Sequence, residues 1–189
     1  GVARQRDRLG DTPPLMPPVD YSELSDEEAQ RRFDELTSSS PERVAWLRGE
    51  VGDALDLSPE SLVPLWEWFV RREQGRRDRG GELPAWYEPD PPELASQRLS
   101  PATLRDVDAI GLYLAEVFLR NVPGAAWGIA KLPKRMRYAY QNKPVVKLED
   151  DQDVDTIGIA YGGAVKVALM DEGTEPDALL KVFRAWVGE

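Results

Sequence analysis

Residues 101–120 carry the clearest helical period in the chain. Leu104, Val107, Gly111, Leu114 and Phe118 fall on one face, and Ile110 and Val117 widen it. A face that broad is buried against other elements. Ser100 and Pro101 supply its start: a cap acceptor, then a residue with no backbone donor to leave unpaired. Gly111 inside such a helix costs about 1 kcal/mol relative to alanine. That cost fits a close helix–helix or helix–sheet crossing, where no side chain separates the backbones.

The stretch before it reads as three helices. The first, Glu23–Thr37, has a sparse apolar face of Leu24, Phe33 and Leu36. Ser40 and Pro41 signal a second start, followed by Val44, Leu47, Val51 and Leu55 at helical spacing. Ser58 and Pro59 repeat the signal ahead of Leu62, Leu65, Trp66 and Phe69, with Pro64 restricting the early turns. Arg71, Arg72, Arg76, Arg77 and Arg79 form a basic run that is either a solvated helix end or a surface for an anionic partner. Residues 84–93 are a proline-rich connection whose Trp86 and Tyr87 favour packing on the body. Pro13, Pro14, Pro17 and Pro18 forbid a regular helix in residues 1–20. This arm is either disordered or a strap packed through Leu15, Met16 and Val19.

The period changes after residue 120. Strands are expected at Ala126–Leu132, near Arg137–Tyr140 and at Pro144–Leu148. Thr156–Tyr161 and Ala164–Met170 read as a hairpin around Gly162–Gly163, because two glycines suit a tight two-residue turn. Thr174, with Asp177 three residues on, marks a final helix whose buried face is Leu179, Val182, Phe183 and Trp186. The expected fold is α+β: N-terminal helices, a small mainly antiparallel sheet with a Gly-Gly hairpin, and a C-terminal helix. Residues 21–189 form one domain after the arm, with a helical half (21–99) and a helix–sheet–helix half (100–189).

Composition narrows the chemistry. Among 189 residues there is no cysteine and no histidine. Cys–His and Ser–His–Asp catalysis, disulfides, Cys₄ zinc sites and histidine haem ligation are therefore excluded within this chain. The net charge of −10 argues against general nucleic-acid binding. The charge is uneven: residues 1–99 hold 21 acidic residues and 13 arginines but no lysine. No apolar run is long enough for a membrane helix. The opening GVARQRDRLGD lacks the apolar block of a signal peptide, so the cytoplasm is the default location.

The surviving candidates are carboxylates. Asp151, Asp153 and Asp155 have the spacing of the first ligands of a calcium loop, but Thr156 and Gly162 occupy the positions of its glycine and its glutamate. The run Glu149, Asp150, Asp151, Asp153 and Asp155 is otherwise a solvated acidic loop able to bind a partner. Glu116 lies in an apolar helix, with Tyr113 at i−3 and Arg120 at i+4. It is either a structural Glu–Arg or Glu–Tyr arrangement or a carboxylate acid or base in a pocket. Lys131, Lys134, Arg135, Arg137, Lys143 and Lys147 form a second basic cluster interleaved with Met136, Tyr138 and Tyr140. Its simplest form turns the aromatics inward and the charges toward water or the acidic loop. No glycine pattern cradles a phosphate, and no cofactor is expected.

Gly111-Leu-Tyr-Leu-Ala-Glu116, Gly124-x-x-Trp127 and Asn142-Lys-Pro-Val-Val146 together resemble a group of uncharacterised bacterial α+β proteins. These include domains found around polymorphic-toxin immunity systems. The resemblance covers about 38 residues, 111–148, and implies a small intracellular binding protein rather than a cofactor enzyme. It carries over no catalytic residue. The leading expectation is a cytoplasmic acidic protein-interaction domain, an immunity or defence accessory protein in its specific form, with a basic protein as partner. The alternatives are a carboxylate-dependent enzyme centred on Glu116 and a structural oligomerisation module.

Overall fold

The computed structural model describes residues 21–78, 99–131 and 141–189, and the side chains of 76–78 lie outside that description. The proline-rich arm, the connection at 84–93 and the strand expected near 137–140 all lie outside the described residues.

Helix α1 spans Asp26–Val51. Ser25 caps it: the Glu28 N–H donates to Ser25 Oγ, and the Ser25 N–H donates to Glu28 Oε2, each at 3.2 Å. The two helices expected on either side of Ser40-Pro41 are this one helix, which runs through Pro41. Proline removes the N–H that would reach the Thr37 carbonyl, and the turn before it carries hydroxyl bonds to carbonyls further back. Thr37 Oγ1 donates to the Phe33 carbonyl, Ser38 Oγ to Asp34 and Ser39 Oγ to Leu36, at 3.0, 2.6 and 2.9 Å. A 3₁₀ turn at Pro59–Ser61, capped by Ser58, leads into α2 (Leu62–Asp78). Pro64 sits in the first turn of α2, where a missing N–H costs little.

Helix α3, Pro101–Asn121, starts as its sequence indicates, with the Thr103 N–H donating to Ser100 Oγ at 3.1 Å. Its residues Val107 to Ala115 are all buried, so it is the central element of the fold. Strand β1 (Ala126–Ile129) pairs antiparallel with β2 (Pro144–Lys147), placing Trp127 opposite Val146. β2 pairs antiparallel with β3 (Asp153–Val154), placing Val146 opposite Val154. The order of this three-stranded sheet is β1-β2-β3. Trp127 meets Phe33 of α1 edge to face, with ring centroids 6.5 Å apart, joining the sheet to the helices.

The hairpin expected across residues 156–170 is instead a helix. α4 spans Thr156–Val165 and continues as a π-helical turn, Lys166–Met170. Asp155 initiates it, accepting the Gly158 N–H at 2.9 Å. Ala160, Ala164 and Val167 are buried at helical spacing, a period that coexists with the strand-like alternation. Neither Gly162 nor Gly163 has a positive φ, the property a two-residue hairpin turn requires. Close packing explains one of them: a Cβ on Gly163 would come within 2.8 Å of the Trp66 ring. Gly111 serves the same purpose on α3, where a Cβ would lie 2.7 Å from the Ile157 Cα. The close crossing expected at Gly111 is therefore helix against helix, α3 on α4.

Helix α5, Ala178–Val187, begins later than the Thr174 signal suggests, and the Asp177 side chain makes no capping bond. The chain turns at Glu175, whose carbonyl accepts the Ala178 N–H, before the helix forms. Phe183 then packs on Phe118 of α3 at 4.7 Å between ring centroids. The result is an α+β fold with N-terminal helices, a small antiparallel sheet and C-terminal helices, all packed about α3.

Candidate functional site

The acidic run at 149–155 divides into two parts. Leu148 N–H donates to the Gln152 carbonyl at 2.9 Å, closing the turn that joins β2 to β3. Asp151 occupies the left-handed region in that turn, with φ 55°, a conformation that aspartate tolerates better than most residues. Glu149, Asp150 and Asp151 are exposed at this tip, and among the described residues none of the three is ion-paired. Glu149 lies over Gly124, where any side chain would collide with its carboxylate arm.

Asp153 and Asp155 are withdrawn from the tip. Lys147 Nζ approaches Asp153 Oδ1 at 3.3 Å, and Lys143 Nζ approaches Asp155 Oδ2 at 3.0 Å. Asp155 also caps α4. The three aspartates with calcium-like spacing therefore have different jobs. Among the described residues, no group of three or more acidic side chains is arranged to hold a metal ion. Lys131 of the same basic cluster reaches Asp26 at 2.8 Å and Asn142 Oδ1 at 2.7 Å. Lys134, Arg135, Met136, Arg137, Tyr138 and Tyr140 lie outside the described residues.

Glu116 faces a second feature, a groove of about 420 Å³ between α1 and α3. Pro41, Val44, Ala45, Arg48, Leu57 and Glu116 line it. Ser40 Oγ donates to Glu116 Oε1 at 3.4 Å. Tyr113 and Arg120 do not join this carboxylate. The Tyr113 hydroxyl accepts the Leu57 N–H at 2.9 Å and shares a hydrogen bond with Ser61 Oγ at 2.7 Å. Burial pushes the Tyr113 hydroxyl above its ordinary pKa, against the lowering effect of the Ser61 hydrogen bond. Arg120 is exposed and makes no ion pair with Glu116.

The buried charges escaped the sequence reading. Arg43 and Asp108 are 5 % and 6 % exposed, and their ion pair joins α1 to α3 at 2.6 Å. Burial pushes the Asp108 carboxyl up to about 6, with Arg43 pulling it down. Tyr21 is raised by burial too; Arg32 opposes the shift, while Asp155 and Asp108 add to it. Arg72 grips Asp106 through Nε and Nη2 at 3.0 and 3.3 Å while stacking over Trp68. Thr103 Oγ1 donates to Glu73 Oε1 at 2.6 Å. The available signal was two aspartates inside the apolar stretch of α3: a carboxylate on a buried face needs a cation from a neighbouring element.

Among the described residues, no helix is long and apolar enough to cross a membrane. Comparison with family models, with curated proteins and with solved structures gives no match.

Proposed function

We propose that this chain is a cytoplasmic protein-interaction domain that meets a basic partner through the acidic tip of its β2–β3 hairpin. The observation that supports this reading is the division within the acidic run. Lysines pair with Asp153 and Asp155, while Glu149, Asp150 and Asp151 are exposed. Clustered exposed carboxylates repel each other modestly and gain most when a cationic surface approaches, which speeds encounter and fixes orientation. An immunity or defence accessory role is the specific form suggested by the resemblance across residues 111–148.

The test is affinity capture from the host with the natural chain and with a Glu149→Gln, Asp150→Asn, Asp151→Asn variant. Asparagine at 151 keeps a residue that tolerates the left-handed backbone. A protein retained by the natural chain at low salt, and lost both at high salt and with the variant, is the expected outcome. Equal retention by both chains contradicts the reading.

An oligomerisation role has one observation in its favour. Tyr161, Leu169 and Met170 are 45, 37 and 55 % exposed along α4 and its π-helical extension.

A further inference from the structure

The groove beside Glu116 has a property that the acidic tip lacks: it presents both signs of charge over an apolar floor. Glu116 stands on α3 and Arg48 on α1, and both line the groove. Among the described residues, neither is ion-paired with the other or with a third group. The Arg48 Nε–H is held by the Leu55 carbonyl at 2.9 Å, which fixes one edge of the guanidinium and leaves its terminal nitrogens for another acceptor. Among the described residues, Glu116 has one hydrogen bond, the long one from Ser40. Pro41, Val44, Ala45 and Leu57 complete the lining.

The wall formed by Leu57 is held in a strained shape. Leu57 has a φ of 65°, a left-handed conformation that leucine rarely adopts. Two residues of α3 hold it there. The Tyr113 hydroxyl accepts its N–H at 2.9 Å, and Asn121 Nδ2 donates to its carbonyl at 2.7 Å. Such strain costs on the order of 1–3 kcal/mol and persists only where the surroundings over-determine it. Here both bonds come from the helix that carries Glu116, so the apolar wall and the carboxylate are positioned together.

We propose that this groove binds a small zwitterion with an apolar side chain, an aliphatic α-amino acid. Its ammonium would meet Glu116, its carboxylate the terminal nitrogens of Arg48, and its side chain the surface of Pro41, Val44, Ala45 and Leu57. A ligand carrying one charge engages one wall only. A ligand carrying both satisfies the two at once. The groove falls within the size range of small-molecule sites. This proposal is independent of the hairpin tip and stands or falls without it.

The test is amide chemical-shift titration of the full chain with L-leucine, with leucinamide, which lacks the carboxylate, and with 4-methylpentanoate, which lacks the ammonium. Saturable shifts confined to residues around 41–48, 57 and 116 are expected for L-leucine, with at most weak shifts for the other two. Glu116→Gln and Arg48→Gln should each weaken L-leucine binding roughly tenfold or more, the loss of one charge-assisted contact, while the spectrum elsewhere is unchanged. Absence of groove shifts with L-leucine, equal response to a singly charged analogue, or undiminished binding by both variants overturns the proposal.

Discussion

Arg43 and Asp108 carry opposite charges into a region with little water, and the balance between them sets a pH dependence. Burial raises the Asp108 carboxyl from 3.8 to about 6. Between those values the folded chain holds a proton that the unfolded chain has released. Stability contributed by this group is therefore greatest in acid, falls as pH rises through that window, and is level above it. Asp108→Asn removes the titration. Comparing urea unfolding of the two chains from about pH 4 to about pH 8 should show the natural chain losing on the order of 3 kcal/mol relative to the variant. Parallel pH profiles would contradict this account. Arg43→Ala should cost about 3–5 kcal/mol near pH 8, because it strands a buried carboxylate. Lowering the pH should reduce that cost, since protonated Asp108 needs no cation. The same denaturation series reads both effects.

At the scale of elements, α4 shows where sequence patterning divides. Residues 156–170 satisfy a two-residue alternation and a helical period together, and Gly162–Gly163 resembles a hairpin turn. Two tertiary contacts and one local cap decide the matter: Gly111 admits Ile157, Gly163 admits Trp66, and Asp155 caps the first turn. Neither Gly111 nor Trp66 is near this segment in the chain. Substitution by alanine separates the two forms. Gly162 faces open space, with no neighbour within 4 Å of where a Cβ would stand, so Gly162→Ala should stabilise the helix by about 0.5–1 kcal/mol. In a tight hairpin turn the same change would destabilise. Gly111→Ala pushes against the Ile157 backbone and should cost about 1–3 kcal/mol. Thermal unfolding of the two variants checks both signs.

The Ser-Pro starts of α3 and of the turn before α2 were legible because a cap and its helix are local. Ser40-Pro41 misled for the converse reason: the same pair fits inside a helix that packing holds together, and α1 continues through it. The acidic tip was visible as composition, but its separation from Asp153 and Asp155 was not. That separation depends on a β2–β3 register which places Lys147 opposite Asp153. The Glu116 groove was half legible. The odd carboxylate stood out in an apolar helix, whereas Arg48 and the strained Leu57 belong to elements far away in the chain.

For the whole molecule, a largely apolar α3 forms the centre, and its buried Asp106 and Asp108 are paired with arginines of neighbouring helices. The pairs Arg43–Asp108, Arg72–Asp106 and Lys131–Asp26 tie elements together, and the exposed acids of the hairpin tip are the proposed contact for a partner. The exposed Tyr161, Leu169 and Met170 bear on self-association. If that strip joins copies of the chain, light scattering should show a concentration-dependent mass that Tyr161→Ser with Met170→Ser abolishes. A constant monomer mass rules out that use of the strip. The role of the tip is tested most directly by measuring the association rate of the captured basic partner against salt concentration. The natural chain should associate fastest at low salt, with a steep decline as salt rises, and the Glu149→Gln, Asp150→Asn, Asp151→Asn variant should lose most of that slope. The same rates and the same salt dependence for both chains would contradict binding through the hairpin tip.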